Sequence, residues 1–275
     1  VSPAWPNYVM QIQLVGARPV TVITTEATGY VPTVGQLEAA VSDRTKAIII
    51  NSPSNPTGAV FSEEGLDEIL CFARAADIYV ISDEVYEEVV YELPHVSATS
   101  HDPDGRVVGI FSLSKSYAMT GWRIGYAAGP RDIIKAMSKI QGQSTSCANS
   151  IGQKAGIEAL TGDQSCVEDM KSAFKERRDF IVKLLNDLPG VTCAVPGGAF
   201  YVFPDFSSYL GKVGNGQILK DTFDISEYIL GCANVVTVPG DGFGAPGHVR
   251  FSYATSTNII EQGIELVRSV LEKIT

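Results

Sequence analysis

The stretch "SLSKSYAMTGWRIG", residues 112 to 125, puts Lys115 between two serines in a run otherwise small or apolar, with Arg123 eight positions later. In an acidic chain, formal net charge −10, two such cations either decorate a surface loop or hold something anionic and reactive. A lysine attacks carbonyls only when its amine is neutral for part of the time, which burial or a neighbouring cation arranges. Arg123 is such a cation if the two side chains are close. Its planar fork also suits a phosphate, with the Ser112 hydroxyl as a donor beside it. Taken alone, Lys115 is more simply a solvated loop lysine.

Five further positions carry chemistry-bearing types. Asp83 closes the apolar run Ile78 to Ser82, where a carboxylate is costly unless paired. It is either the N-cap of a following helical segment or a buried carboxylate kept for a cation, and Tyr86 stands three residues on. "NSPSNPTG", residues 51 to 58, is dense enough in turn-formers to be a plain turn, yet Asn55 offers a side-chain amide there. Trp5, in "PAWPN", is either core or a rigid platform for stacking. Arg250, in "GHVRFSYAT", alternates with Val249 and Phe251 and therefore faces the opposite side of a strand. It is a surface arginine, or a half-buried one whose fork needs a carboxylate.

The elements that must place these residues follow from periodicity. Strands are predicted at Ala47 to Ile50, Ile78 to Ser82 and Val107 to Phe111, with another in "IGYAAGP". Between them, "SEEGLDEILCFARAAD" has helical spacing with Ser62 as its N-cap, and "RDIIKAMSKIQGQS" reads as a further helix. Continuous apolar strands separated by helices predict an α/β domain with a mostly parallel sheet. Ligands of such sheets collect beyond the carboxyl ends of the strands, and Asn51, Asp83 and Ser112 all fall there. From residue 166, "CVEDMKSAFKERRDFIVKLLNDLPG" predicts one long helix. Short strands with Gly/Pro turns follow, then a terminal helix, "TNIIEQGIELVRSVLEKI". Residues 1–165 are expected as a large domain and 166–275 as a smaller α+β domain.

Composition bounds the function. The 275 residues are 45% hydrophobic and 19% charged, the make-up of a soluble globular protein. The negative charge disfavours a general nucleic-acid binder. No apolar run is long enough to cross a bilayer, and a cytoplasmic location is expected. Five dispersed cysteines without a C-x-x-C pair, and three histidines, predict incidental or buried thiols and no metal site. The opening "VSPAWPNY" reads as mid-domain sequence, so an N-terminal portion is expected to be lacking.

Together, "NSPSNPTG", "SDEVYE", "SLSKSYAMTGWRIGY" and "GHVRFSYAT", in this order and at these separations, resemble the fold-type I pyridoxal-phosphate aminotransferases of class I/II, aspartate aminotransferase-like. The resemblance runs from "PAWPNY" to the terminal helix. It implies a seven-stranded-type sheet flanked by helices, pyridoxal 5'-phosphate as cofactor, L-amino acid and 2-oxo acid substrates, and a homodimer. By resemblance, Lys115 forms the internal aldimine and shuttles a proton, while Asp83 pairs with the pyridinium nitrogen. Tyr86 and Asn55 would hydrogen-bond the ring's O3′, Ser112 and Arg123 bind the phosphate, Trp5 stacks on the ring, and Arg250 clamps the substrate α-carboxylate. The family's Gly-rich phosphate turn lies upstream of the position matching Trp5. A same-fold C–S lyase or decarboxylating synthase, or a non-catalytic remnant, are the alternatives. The donor amino acid cannot be read from these residues.

Overall fold

The computed structural model describes residues 1–275. Helix α1 (Asn7–Leu14) and helix α2 (Val34–Ala40) precede strand β1 (Ala47–Asn51); α3 (Glu63–Ala75), β2 (Tyr79–Asp83) and β3 (Val107–Ser112) follow. A one-turn helix, α4 (Leu113–Ser116), leads to β4 (Gly125–Ala128), α5 (Arg131–Ser144) and α6 (Ser150–Thr161). The second half holds α7 (Ser165–Asn186), β5 (Tyr201–Val202), a minimal hairpin β6 (Val213–Gly214) and β7 (Gln217–Ile218), α8 (Thr222–Ala233), β8 (Val238–Pro239), β9 (Val249–Ser252) and α9 (Thr257–Leu271).

Of the seven-stranded type of sheet, this chain carries four strands in the order β1-β2-β3-β4. The first three are parallel and β4 runs antiparallel to β3. The register sets Asn51 beside Asp83 and Asp83 beside Ile110, so β1 and β2 end level and β3 runs on two residues to Ser112 at the same edge. Helix α3 starts where expected: the Ser62 side chain accepts from the Gly65 amide at 3.2 Å, with Glu63 and Glu64 in the first turn. It buries Leu66, Ile69, Leu70, Phe72 and Ala73, which join Ile50, Val80 and Val107 of the sheet in one core. Asp83 caps no helix. Its Oδ1 accepts from the Val85 amide at 3.3 Å, and the backbone then turns, Glu87 N–H to Glu84 O and Val89 N–H to Tyr86 O.

Helix α5 spans the predicted residues, yet none of them is buried; Met137 and Ile140 of its apolar stripe are exposed. The larger core lies in the second half, where α7, α8 and α9 pack Leu185, Ile229 and Val267 against the antiparallel sheet β5-β9-β8. The two halves are tied by Arg178 of α7. Its guanidinium donates to both oxygens of Glu92 at 2.6 and 2.7 Å and to the Pro196 carbonyl at 3.1 Å, over the Tyr91 ring. All five cysteines are free; Cys193 alone is buried. No helix is long and apolar enough to cross a membrane.

Candidate active site

Lys115 sits on α4, just past the end of β3. Ser112 caps this short helix, accepting from the Ser114 amide at 3.1 Å, and the flanking Leu113 and Ser116 are buried. The half-buried Lys115 ammonium lies 5.7 Å from the centre of the Tyr86 ring and 5.6 Å from that of Phe200. Its pKa is lowered, chiefly by desolvation, then by the positive charges of Arg250 and Arg123, against an opposing pull from Asp83. Both conditions that make a lysine nucleophilic, burial and neighbouring cations, are therefore met.

Asp83, at the end of β2, is held on its other oxygen by the Tyr8 hydroxyl of α1. Desolvation raises its pKa, while the hydrogen bonds from Tyr8 and Val85 oppose the rise. A carboxylate so placed gains from any cation brought against it. Asn51, its neighbour across the ladder, fixes the Pro-rich turn: Nδ2 donates to the Asp83 carbonyl at 2.8 Å and to the Pro53 carbonyl at 3.1 Å, and Oδ1 accepts from the Asn55 amide at 2.8 Å. Asn55 is thereby aimed at the second half of the chain, where its Oδ1 accepts from Arg250 Nη1 at 2.6 Å.

Arg250 is stacked between Tyr201, 4.3 Å from ring centre to guanidinium carbon, and Phe243 at 5.1 Å. Its Nε is buried and unpartnered, so part of the fork remains available to an anion. The alternation read from the sequence holds: Val249 and Phe251 are buried on the opposite face. Tyr86 is buried, and its hydroxyl lies 3.0 Å from that of Tyr201. Burial raises its pKa, helped by Tyr201.

Arg123 and Trp5 stand at the margin. Arg123 is exposed, adopts φ 56°, and donates from Nη1 to the Thr120 carbonyl at 3.0 Å, yet its charge reaches Lys115. Gly125 keeps this corner closed, because a Cβ there would stand 2.7 Å from the Phe111 carbonyl oxygen. Trp5 is 37% exposed and meets Tyr8 edge-to-face at 5.5 Å. Sequence reasoning missed Tyr8, Phe200, Tyr201 and Phe243. Tyr8 stood within "PAWPNY", one helical turn from Trp5; Phe200 and Tyr201 lie in the aromatic run "AFYVF", and Phe243 is a lone aromatic in the Gly-rich turn "GDGFG".

The residues fit pyridoxal 5'-phosphate by donor chemistry: an amine for its aldehyde, a sequestered carboxylate for its ring nitrogen, and a hydroxyl with a guanidinium for its phosphate. They also leave an arginine with an unpaired buried N–H for a carboxylate substrate.

A mostly parallel sheet with a half-buried lysine of lowered pKa beyond its strand ends, and a sheltered carboxylate within reach of its charge, suits an enzyme that works with a carbonyl cofactor. The model of the family "Aminotransferase class I and II" matches residues 1–267, and the chain belongs to that family. The aspartate aminotransferases among its relatives work with pyridoxal 5'-phosphate. The chain is 39% identical over 275 residues to an aspartate aminotransferase of Streptomyces avermitilis, covering 99% of this chain and 67% of that protein. The solved aspartate aminotransferase of Rhizobium meliloti superposes with TM-score 0.95 at 37% identity, over 100% of this chain and 70% of that one. An aromatic aminotransferase from Pyrococcus horikoshii superposes with TM-score 0.91 at 38% identity, over 98% and 72%.

Proposed function

We propose that this chain carries the pyridoxal-phosphate site of an enzyme that moves an amino group from an L-amino acid to a 2-oxo acid. The observation that carries the reading is the placing of the half-buried Lys115 amine just past β3 over the Tyr86 and Phe200 rings, where desolvation, then Arg250 and Arg123, lower its pKa against the pull of Asp83. The cofactor, when bound, supplies an electron sink for the carbanion formed at the amino acid's Cα. Lys115 binds its aldehyde and moves the proton at Cα. Asp83, oriented by Tyr8, holds the ring nitrogen protonated; Tyr86 and Asn55 donate toward the ring oxygen; Ser112 and Arg123 hold the phosphate; Trp5 covers the ring. Arg250 binds the α-carboxylate.

Aspartate is the donor to assay first, with 2-oxoglutarate as acceptor, because two of the relatives above are named for aspartate; aromatic donors come second. A C–S lyase or decarboxylating synthase would use Lys115 and Asp83 alike. Formation of glutamate from 2-oxoglutarate supports transfer, and release of pyruvate or carbon dioxide without glutamate overturns it. The intact set of reactive side chains weighs against a non-catalytic remnant. We retain 1–165 and 166–275 as the two domains, a homodimer and the cytoplasm as proposals; sedimentation of the cofactor-bound protein tests the dimer.

Arg250→Ala removes the proposed carboxylate clamp. Truncating one partner of a buried charge pair costs roughly 2–5 kcal/mol, so KM for the amino acid is expected to rise roughly 30-fold or more. The same change takes away the strongest cation acting on Lys115, so the pH at which that amine reacts with an acylating reagent moves up. An unchanged KM rules out the clamp.

A further inference from the structure

Tyr201 joins two residues that the proposed function uses separately. It lies on β5, 7% exposed, and pairs with Ser252, two residues beyond Arg250 on β9. Its ring supports the Arg250 guanidinium at 4.3 Å, and its hydroxyl is 3.0 Å from that of Tyr86. The two tyrosine rings meet edge-to-face, 5.8 Å between centres at 83°. Tyr86 belongs to the turn after β2 and Arg250 to the sheet of the second half, so this one side chain bridges the halves at the site.

We propose that Tyr201 is a positioning residue: its ring fixes the plane of Arg250 for a substrate carboxylate, and its hydroxyl fixes the phenol of Tyr86. The inference rests on Arg250 being the carboxylate site. A guanidinium stacked on a tyrosine face loses rotational freedom without losing its in-plane N–H groups, which is what bidentate carboxylate binding needs. The Asn55 bond at Nη1 holds one edge of the fork, and the stack holds the plane. A phenol with a fixed hydroxyl partner keeps one orientation, whereas a lone buried hydroxyl rotates. Burial leads the rise in the Tyr86 pKa, and the Tyr201 hydroxyl 3.0 Å away adds to it, so the two phenols are coupled through this contact.

Two variants separate the two contacts. Tyr201→Phe keeps the ring and loses the hydroxyl; Tyr201→Leu loses both. The probe for Arg250 is succinate, a dicarboxylate that cannot react, titrated calorimetrically into the cofactor-free chain. Tyr201→Phe is expected to bind succinate within twofold of the parent, and Tyr201→Leu about 3- to 30-fold more weakly, the range of a desolvated cation–π contact. The probe for Tyr86 is the pH dependence of the bound cofactor's visible absorption, which should shift in Tyr201→Phe although its KM stays within twofold. Parent-like succinate binding by Tyr201→Leu overturns the ring's role. A parent-like absorption profile in Tyr201→Phe overturns the hydroxyl's role, and that variant still decides if Tyr201→Leu fails to fold. Arg250→Ala is the control. If it too binds succinate normally, the carboxylate site itself is misplaced and the inference falls with it; if it loses binding, failure of the Tyr201 variants is specific to Tyr201.

Discussion

Replacing Lys115 with alanine is expected to abolish amino-group transfer while leaving the fold intact. Loss of a positioned proton-transfer group costs roughly 10²–10⁴-fold by itself, and in the proposed role the same side chain also makes the bond to the cofactor's aldehyde. Stability should not fall with it. Desolvation disfavours the ammonium's charged form, and the charges of Arg250 and Arg123 add to this, together outweighing the pull of Asp83. The sign follows: a lysine whose folded pKa lies below the unfolded 10.5 weighs against the folded state while both states hold the proton. That penalty fades as pH rises from the lowered value toward 10.5, where the unfolded chain binds more protons. Melting of the cofactor-free alanine variant should therefore match or exceed that of the parent near neutral pH, and the gap should narrow in alkali. Transfer activity within tenfold of the parent would contradict the role; a large drop in melting temperature would make Lys115 a structural residue instead.

Asp83→Asn carries the second-largest effect. Electrostatic stabilisation of developing charge is worth on the order of 10²–10³ per group, and a carboxylate facing a ring nitrogen has no neutral substitute. We expect kcat to fall by at least 10²-fold. The shape is preserved, since the Asn oxygen can accept from the Val85 amide and its NH₂ can donate to the Tyr8 hydroxyl. Folding is the opposite case. Desolvation raises the Asp83 pKa above 3.8, so the empty site loses stability as pH rises through the interval between 3.8 and that raised value. At neutral pH the Asn variant escapes that loss, and without cofactor it should melt no lower than the parent. Activity falling while stability holds is the signature of a group strained in the empty site for the sake of its ligand. A variant with parent-like kcat would remove Asp83 from the chemistry.

Much of the large half was legible because its strands are short continuous apolar runs between helical stretches. Ala47–Asn51, Tyr79–Asp83 and Val107–Ser112 stand out as short runs rich in β-branched residues, and their carboxyl ends mark Asp83 and Ser112 in the sequence. Helix α5 was equally plain from its spacing, but the same spacing could not say that its apolar stripe would go uncovered. The reversed direction of β4 was not readable, since four residues of Gly, Tyr and Ala carry no sign of polarity. Asp83 as a helix cap failed because the turn after β2 closes through Glu84 and Tyr86 before a helix can start. Tyr8 and Tyr201 escaped notice for a different reason: a tyrosine is common in cores, and only its hydroxyl's partner, 75 residues away at Asp83 or 115 at Tyr86, reveals its use.

The central claim is that one amine, that of Lys115, reacts with the cofactor. Incubating the protein with pyridoxal 5'-phosphate, reducing with borohydride and mapping the product by peptide mass tests it most directly. The account predicts a single fixed cofactor on the peptide bearing Lys115. A chain that takes no label, or takes it on other lysines with Lys115 untouched, would contradict it.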